Sequence, residues 1–353
     1  MRYTENNRIS HRQLTRQLVL SLTAPFLLGL LSNRSVLGGN GMLASAAVLL
    51  PMYFYVIFLI RLSPYYGSLP KYMGKWGSLL IGIFYLSFVI FTGAYLLRLV
   101  EDVVPVSLLT KFPGKGASLI AVLVCSFGMH RGMQKRGRMG EVSCPAVLGG
   151  LVLLLIVAAF QGSWEYFCSN PEGLRITPEG FLQAGYGILS AFTAVGLLPF
   201  SMNYVEKARS GKRPVFLGIG ITCLIFLGSL AVLQANYGWE RLHSEKYPIL
   251  PLLAGANLPG EVLARFDVIW LAVLLYSLLF AVGSVLHYGS QILQSLQLGN
   301  GKYWIALLMY LLTWDEVLGF SISDGYGTLL AYVYFPGFLA VGAVVWMKNR
   351  RKT

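Results

Sequence analysis

FLQAGYGILSAFTAVGLLPFSMNY, residues 181–204, is the stretch on which the fold turns. It is apolar enough to cross a hydrocarbon core, a passage that takes about 20 helical residues. Yet it holds Gly185, Gly187, Gly196 and Pro199, with Ser190, Thr193 and Ser201 between them. Glycine and proline weaken a helix, and at membrane depth irregular backbone is tolerated only where it is buried in protein or lines a cavity. Two readings are open: an ordinary membrane helix whose glycines allow close packing, or an interrupted helix facing a binding cavity, as in transporter-like folds. The place of this stretch in the whole pattern favours the second.

The surrounding chain is built for a bilayer. Of its 353 residues, 56% are hydrophobic and 12% charged, and the mean hydropathy is +0.62. Those values define an all-α integral membrane protein. The net charge of +13 lies in short basic clusters between apolar runs, which is the signature of cytosolic loops and gives no reason to expect nucleic acid as a partner. Cys125, Cys144, Cys168 and Cys223 have no metal-ligand spacing, so free thiols and no metal or other cofactor are expected. The basic opening MRYTENNRISHRQLTRQ runs into an apolar stretch without a small-residue cleavage site, and the first span is read as the insertion signal.

Ten spans are read: 13–31, 38–60, 77–104, 117–133, 140–160, 181–204, 214–237, 263–298, 303–320 and 325–347. Most of the 28 lysines and arginines fall in segments that share one side if the N-terminus is inside, and most acids, among them Glu101, Asp102, Asp315 and Asp324, fall on the other. Both termini are therefore expected in the cytosol. Ten divides as five plus five, and an odd number per half inverts one half against the other. The expectation is a single LeuT-like membrane domain with repeats over 1–160 and 178–347 and with spans one and six interrupted. Span one has Ser21, Thr23 and Pro25 at its centre, where span six has Thr193, Gly196 and Pro199. The segment 238–262, with the apolar centre YPILPLLAGANLPG, reads either as a cap over an outer vestibule or as an interfacial loop.

No catalytic constellation accompanies this pattern, and no enzyme activity is expected: G-x-S-x-G, P-loop and H-E-x-x-H motifs are absent and the four histidines are scattered. Charge inside the spans is sparse, whereas ion-coupled pumps need it. His287, well inside a span, reads as a hydrogen-bonded structural histidine or a proton relay. A small polar ligand would sit between the interruptions, at Thr23, Pro25, Thr193 and Gly196. Spans three, eight and ten would wall it with Tyr85, Thr92, Tyr95, Tyr276, Ser277, Ser284, Tyr332 and Tyr334. Ordinary helix packing competes as an explanation at each of these positions.

The most distinctive local text is HRGMQKRGRMGEVSCP, residues 130–145. Its basic residues hold a loop inside. Glu141, three residues from Arg138, suits the start of the fifth span, and Pro145 suits its first turn. The G-R-x-x-E-x-x-x-P pattern at Gly137, Arg138, Glu141 and Pro145 resembles the spore-germination permease family, within the amino acid, polyamine and organocation transporter group. So do Tyr247-Pro248, ARFDVIWLAVLLYSLLF from Ala264 to Phe280, and GGNGMLASAAVLL from Gly38. The family's glycine-rich first span and the Gly-x-Glu type element of its sixth have no counterpart in Ser21 to Phe26 or Phe192 to Gly196. The resemblance implies a spore inner-membrane B subunit of a germinant receptor that works with A and C subunits and binds a small nutrient, most simply an amino acid. A secondary transporter of amino acids or related solutes is the alternative, and a structural scaffold the third reading. Sparse intramembrane charge favours sensing over pumping.

Overall fold

The computed structural model describes residues 8–107, 112–128, 132–165, 171–206, 210–237, 239–255, 266–299 and 301–350. Among the described residues the longer helical elements are α1 (His11–Pro25), α2 (Gly38–Tyr66), α3 (Lys75–Ser107), α4 (Gly114–Gly128), α5 (Gly132–Gln161), α6 (Pro178–Tyr204), α7 (Lys212–Asn236), α8 (Phe266–Ser295), α9 (Lys302–Leu311) and α10 (Ile322–Arg350), with shorter helices between them. No strand forms among the described residues, and an isolated bridge joins Ile9 to Val205.

Seven of these helices, namely α2, α3, α5, α6, α7, α8 and α10, contain stretches long and apolar enough to cross a membrane. With large apolar side chains such as Val142, Phe160, Leu182 and Leu224 turned outward, they define an integral membrane protein. The other three predicted spans correspond to shorter or more polar helices. Span nine, expected over 303–320, is broken: α9 stops at Leu311, and Asp315 and Glu316 open a four-residue helix, Asp315–Leu318. Acids favour a helix start because the unpaired amide groups there are partly positive.

The fifth span starts earlier than its apolar text suggests. Gly132, at φ +73°, begins α5, so Glu141 and Pro145 lie in the helix interior and not at its start as the sequence reading had it. Loss of the Pro145 amide frees the carbonyl of residue 141, and Arg16 Nη1 donates to that carbonyl at 2.5 Å. A helix-breaking residue is thereby tolerated.

Two helices change pitch where interruptions were expected. At Pro25 α1 passes into a π turn, Phe26–Leu30, closed by the Leu31 amide donating to Phe26 O. Just upstream, the Ser277 hydroxyl of α8 accepts from the Ala24 amide at 3.0 Å and donates to Leu20 O at 2.7 Å, so a side chain of α8 bonds both members of an i, i−4 backbone pair of α1. In α6 the α-helix ends at Ala191 and a 3-10 segment, Phe192–Leu197, follows before Pro199. Both helices remain coiled through the change. Around them, α1 packs on α5, α7 and α8, and α8, the most enclosed of the seven, also packs on α3 and α4.

Candidate functional site

A cavity of about 670 Å³ runs along α1 and is walled by α3, α5, α6, α8, α10 and the segment Ser244–Tyr247. Its position follows from the pitch changes, since α1 and α6 face each other there through Phe26 and Phe192, ring centroids 4.5 Å apart.

Three of the seven sequence-predicted ligand residues line it: Pro25, Tyr95 and Ser284. Tyr95 stacks on Tyr326 at 4.2 Å and 14°, and Tyr326 shares a hydrogen bond with Thr92. Gly29 in the π turn leaves room for the Tyr95 hydroxyl, which a side chain there would strike. The other four stand outside the lining. Thr23 and Thr193 are buried and donate back to Val19 O and Ser190 O of their own helices. Gly196 lies against Phe338 and the Tyr55 hydroxyl, so its missing side chain admits an aromatic ring of α10. Tyr276 is half-buried beside Phe280. His287 lines the cavity and meets the Gln291 amide at 3.1 Å.

The G-R-x-x-E-x-x-x-P text works as a docking surface for α1. A β-carbon on Gly137 would lie 2.9 Å from Ile9 and one on Gly140 would lie 3.1 Å from Gln17, so the two glycines set the close approach of the helices. Glu141 accepts from Gln13 at 3.0 Å and pairs with Arg12 at 3.7 Å and Arg16 at 4.0 Å. Arg138 is exposed on α5.

Arg136, which hydropathy places in a basic loop, lies in α5 at the cavity. Its guanidinium lines the cavity, donates to Phe280 O at 2.5 Å and to the Ser284 hydroxyl, and lies over the Phe280 ring at 4.2 Å. The signal was present: Met133, Gly137, Gly140, Cys144, Val147 and Leu151, all buried, recur every three or four residues and carry the helix back past the basic cluster.

At the far end of the cavity charged side chains of α3 and its neighbours form one network. Arg98 pairs with Glu101 at 3.0 Å and Asp315 at 3.1 Å, and Lys115 pairs with Glu101 at 3.0 Å. Asp102 takes Lys246 at 2.9 Å and the Tyr247 hydroxyl at 2.6 Å. Burial first, and then the bond to this carboxylate, pushes the Tyr247 phenol well above its ordinary value. The network ties the segment 244–247 to α3, beside Ile249, Leu250, Leu252 and Leu253, which are buried under it. Residues 238 and 256–262 of the predicted cap, the first three residues of the predicted eighth span, and Cys168 lie outside the described residues.

Helices that change pitch beside a largely apolar cavity with a few polar groups, in a chain with seven helices long and apolar enough to cross a membrane, define a permease-like membrane protein. The comparison with known families makes this specific. The family model for spore germination proteins matches residues 42–313, and the chain belongs to that family. It is also similar to spore germination protein YndE of Bacillus subtilis (strain 168), with 20% identity over 206 residues, 56% of this chain and 55% of that protein. The chain thus matches about half the length of this curated relative.

Proposed function

We propose that the protein is the B-type subunit of a spore germinant receptor, holding a small nutrient, an amino acid in the simplest case, in the cavity beside α1 and α6. The observation that carries the reading is the cavity itself, set where both helices change pitch, in a chain of the spore germination family. Under this reading the helices form a LeuT-like five-plus-five inverted repeat over residues 1–160 and 178–347, with both termini cytosolic, and A and C subunits are the partners. The role is sensing, without catalysis. A nutrient shifts a two-state bundle only by its difference in affinity for the two states.

The test is a thermal-shift screen of the purified protein against amino acids, sugars and nucleosides, since a ligand that binds only the folded form raises apparent stability, by about 2.7 kcal/mol at a hundredfold excess over Kd. The structure chooses the control: Ala194 lines the cavity, so Ala194→Trp fills it, whereas Gly196 variants act on packing with Phe338. A hit that disappears in Ala194→Trp supports the reading, and a hit that persists unchanged removes the cavity from it. Ion-gradient-driven uptake of the same solute into proteoliposomes would replace the sensor with a secondary transporter.

A further inference from the structure

We propose that the end of the cavity formed by Arg136, Gln17, Ser21 and Ser284 is a binding site for a compact monovalent anion, a halide ion or the carboxylate of a bound ligand. The inference rests on the cavity being a ligand site, as proposed above, and adds the charge of what it holds.

Three observations meet there. Arg136 is a fixed positive charge, because a guanidinium does not lose its proton under ordinary conditions. It forms no ion pair with any described residue, and its hydrogen-bond acceptors are a carbonyl, Phe280 O, and a hydroxyl, that of Ser284. Both acceptors are neutral, so the charge has no counter-charge among the described residues, and a charge left unpaired away from bulk water is costly. The nearby carboxylate on the same helix, Glu141, is already engaged by Arg12, Gln13 and Arg16 of α1. The carboxylates that do line the cavity, Glu245 and Asp324, belong to the end that holds Tyr247 and Tyr326.

The second observation is Gln17. It is 6% exposed, it lines the cavity, and its amide nitrogen is buried without a hydrogen-bond partner. A buried donor left without an acceptor costs about 1–3 kcal/mol, so an acceptor at this end is worth that much. The third is the hydroxyl pair. Ser21 Oγ and Ser284 Oγ lie 2.7 Å apart, with backbone acceptors at Gln17 O and Phe280 O. Each hydroxyl can rotate its proton from a carbonyl to an incoming anion. A guanidinium, a primary amide and two hydroxyls supply donors from three helices, α1, α5 and α8, which is the chemistry that coordinates a small anion, while the guanidinium charge repels a cation. An anion here would join those three helices.

The test is the melting temperature of the purified protein in a sulfate background of constant ionic strength, titrated separately with chloride, propionate and propionamide. A saturable rise with chloride or propionate, and none with the neutral propionamide, is expected. Chloride acting alone assigns the site to an inorganic ion; propionate acting, with or without chloride, assigns it to a ligand carboxylate. Arg136→Lys, which keeps the charge but loses the fork, should raise the half-saturating anion concentration tenfold or more, and Gln17→Leu should raise it several-fold. The inference is overturned if neither anion gives a saturable shift, if propionamide matches propionate, or if both variants retain the wild-type titration. A nutrient whose binding is lost in Ala194→Trp but indifferent to both anions and to Arg136→Lys would leave the cavity reading standing and remove the anion site alone.

Discussion

Pro145 shows how a residue that breaks helices is held inside one. Its missing amide leaves Glu141 O open, and Arg16 fills it from α1 while also facing the Glu141 carboxylate. One arginine thereby answers both the Pro and the Glu of the motif, which accounts for their four-residue spacing. Removing it should strand a carbonyl in a low-dielectric setting. Arg16→Met is expected to cost about 1–3 kcal/mol, and Pro145→Ala in that background should recover part of the loss by restoring the helical bond. A double-mutant cycle on thermal unfolding in detergent measures the coupling, and additive effects would show that the carbonyl is not the link. Gly196 makes the opposite point. A residue that reads in the sequence as part of a ligand-binding interruption is taken up by packing, because Phe338 occupies the space its side chain would need.

At the scale of the element, the bend of α1 belongs to two helices. Proline sets where the ladder weakens, and Ser277 of α8 competes for both the Ala24 amide and Leu20 O. Ser277→Ala removes the competing hydroxyl and leaves that pair to bond each other alone. The expected result is slower hydrogen exchange over residues 20–31 and a stability change within about 1 kcal/mol; unchanged exchange would assign the bend to Pro25 alone. The tie between Tyr247 and Asp102 is the corresponding feature at the other end of the cavity. Tyr247→Phe removes a charge-assisted hydrogen bond and should cost about 1–2 kcal/mol. Because the folded phenol titrates above its unfolded value of about 10, this stabilisation is complete below that pH and is lost as pH rises above it. The difference in melting temperature between the wild type and Tyr247→Phe should accordingly hold constant to about pH 10 and shrink beyond it. A difference that grows above that pH would contradict the assignment.

For the whole molecule, the division of labour between sequence and structure is physical. Composition and the spacing of apolar runs alone determined an all-helical membrane protein, because a continuous run of about 20 apolar residues crosses the bilayer as a helix that satisfies its own backbone groups. The short motifs at 137–145, 247–248 and 264–280 led to the spore germination family, and the positions of Pro25 and Gly196 marked two of the places where helical pitch changes. Those are local properties, carried by hydropathy and by single residues that lack an amide or a side chain. Which residues face the cavity was not local. Thr23 and Thr193 turn their hydroxyls back into their own helices, while Arg136, which hydropathy places in a basic loop, reaches Phe280 and Ser284, more than a hundred residues away in sequence. Hydropathy averages over a window, so a single guanidinium at the start of a helix vanishes among its basic neighbours. Only the packing of α1, α5 and α8 decided that this charge points inward, since its direction depends on where the partner carbonyl and hydroxyl lie, and those come from helices that meet only in the folded chain.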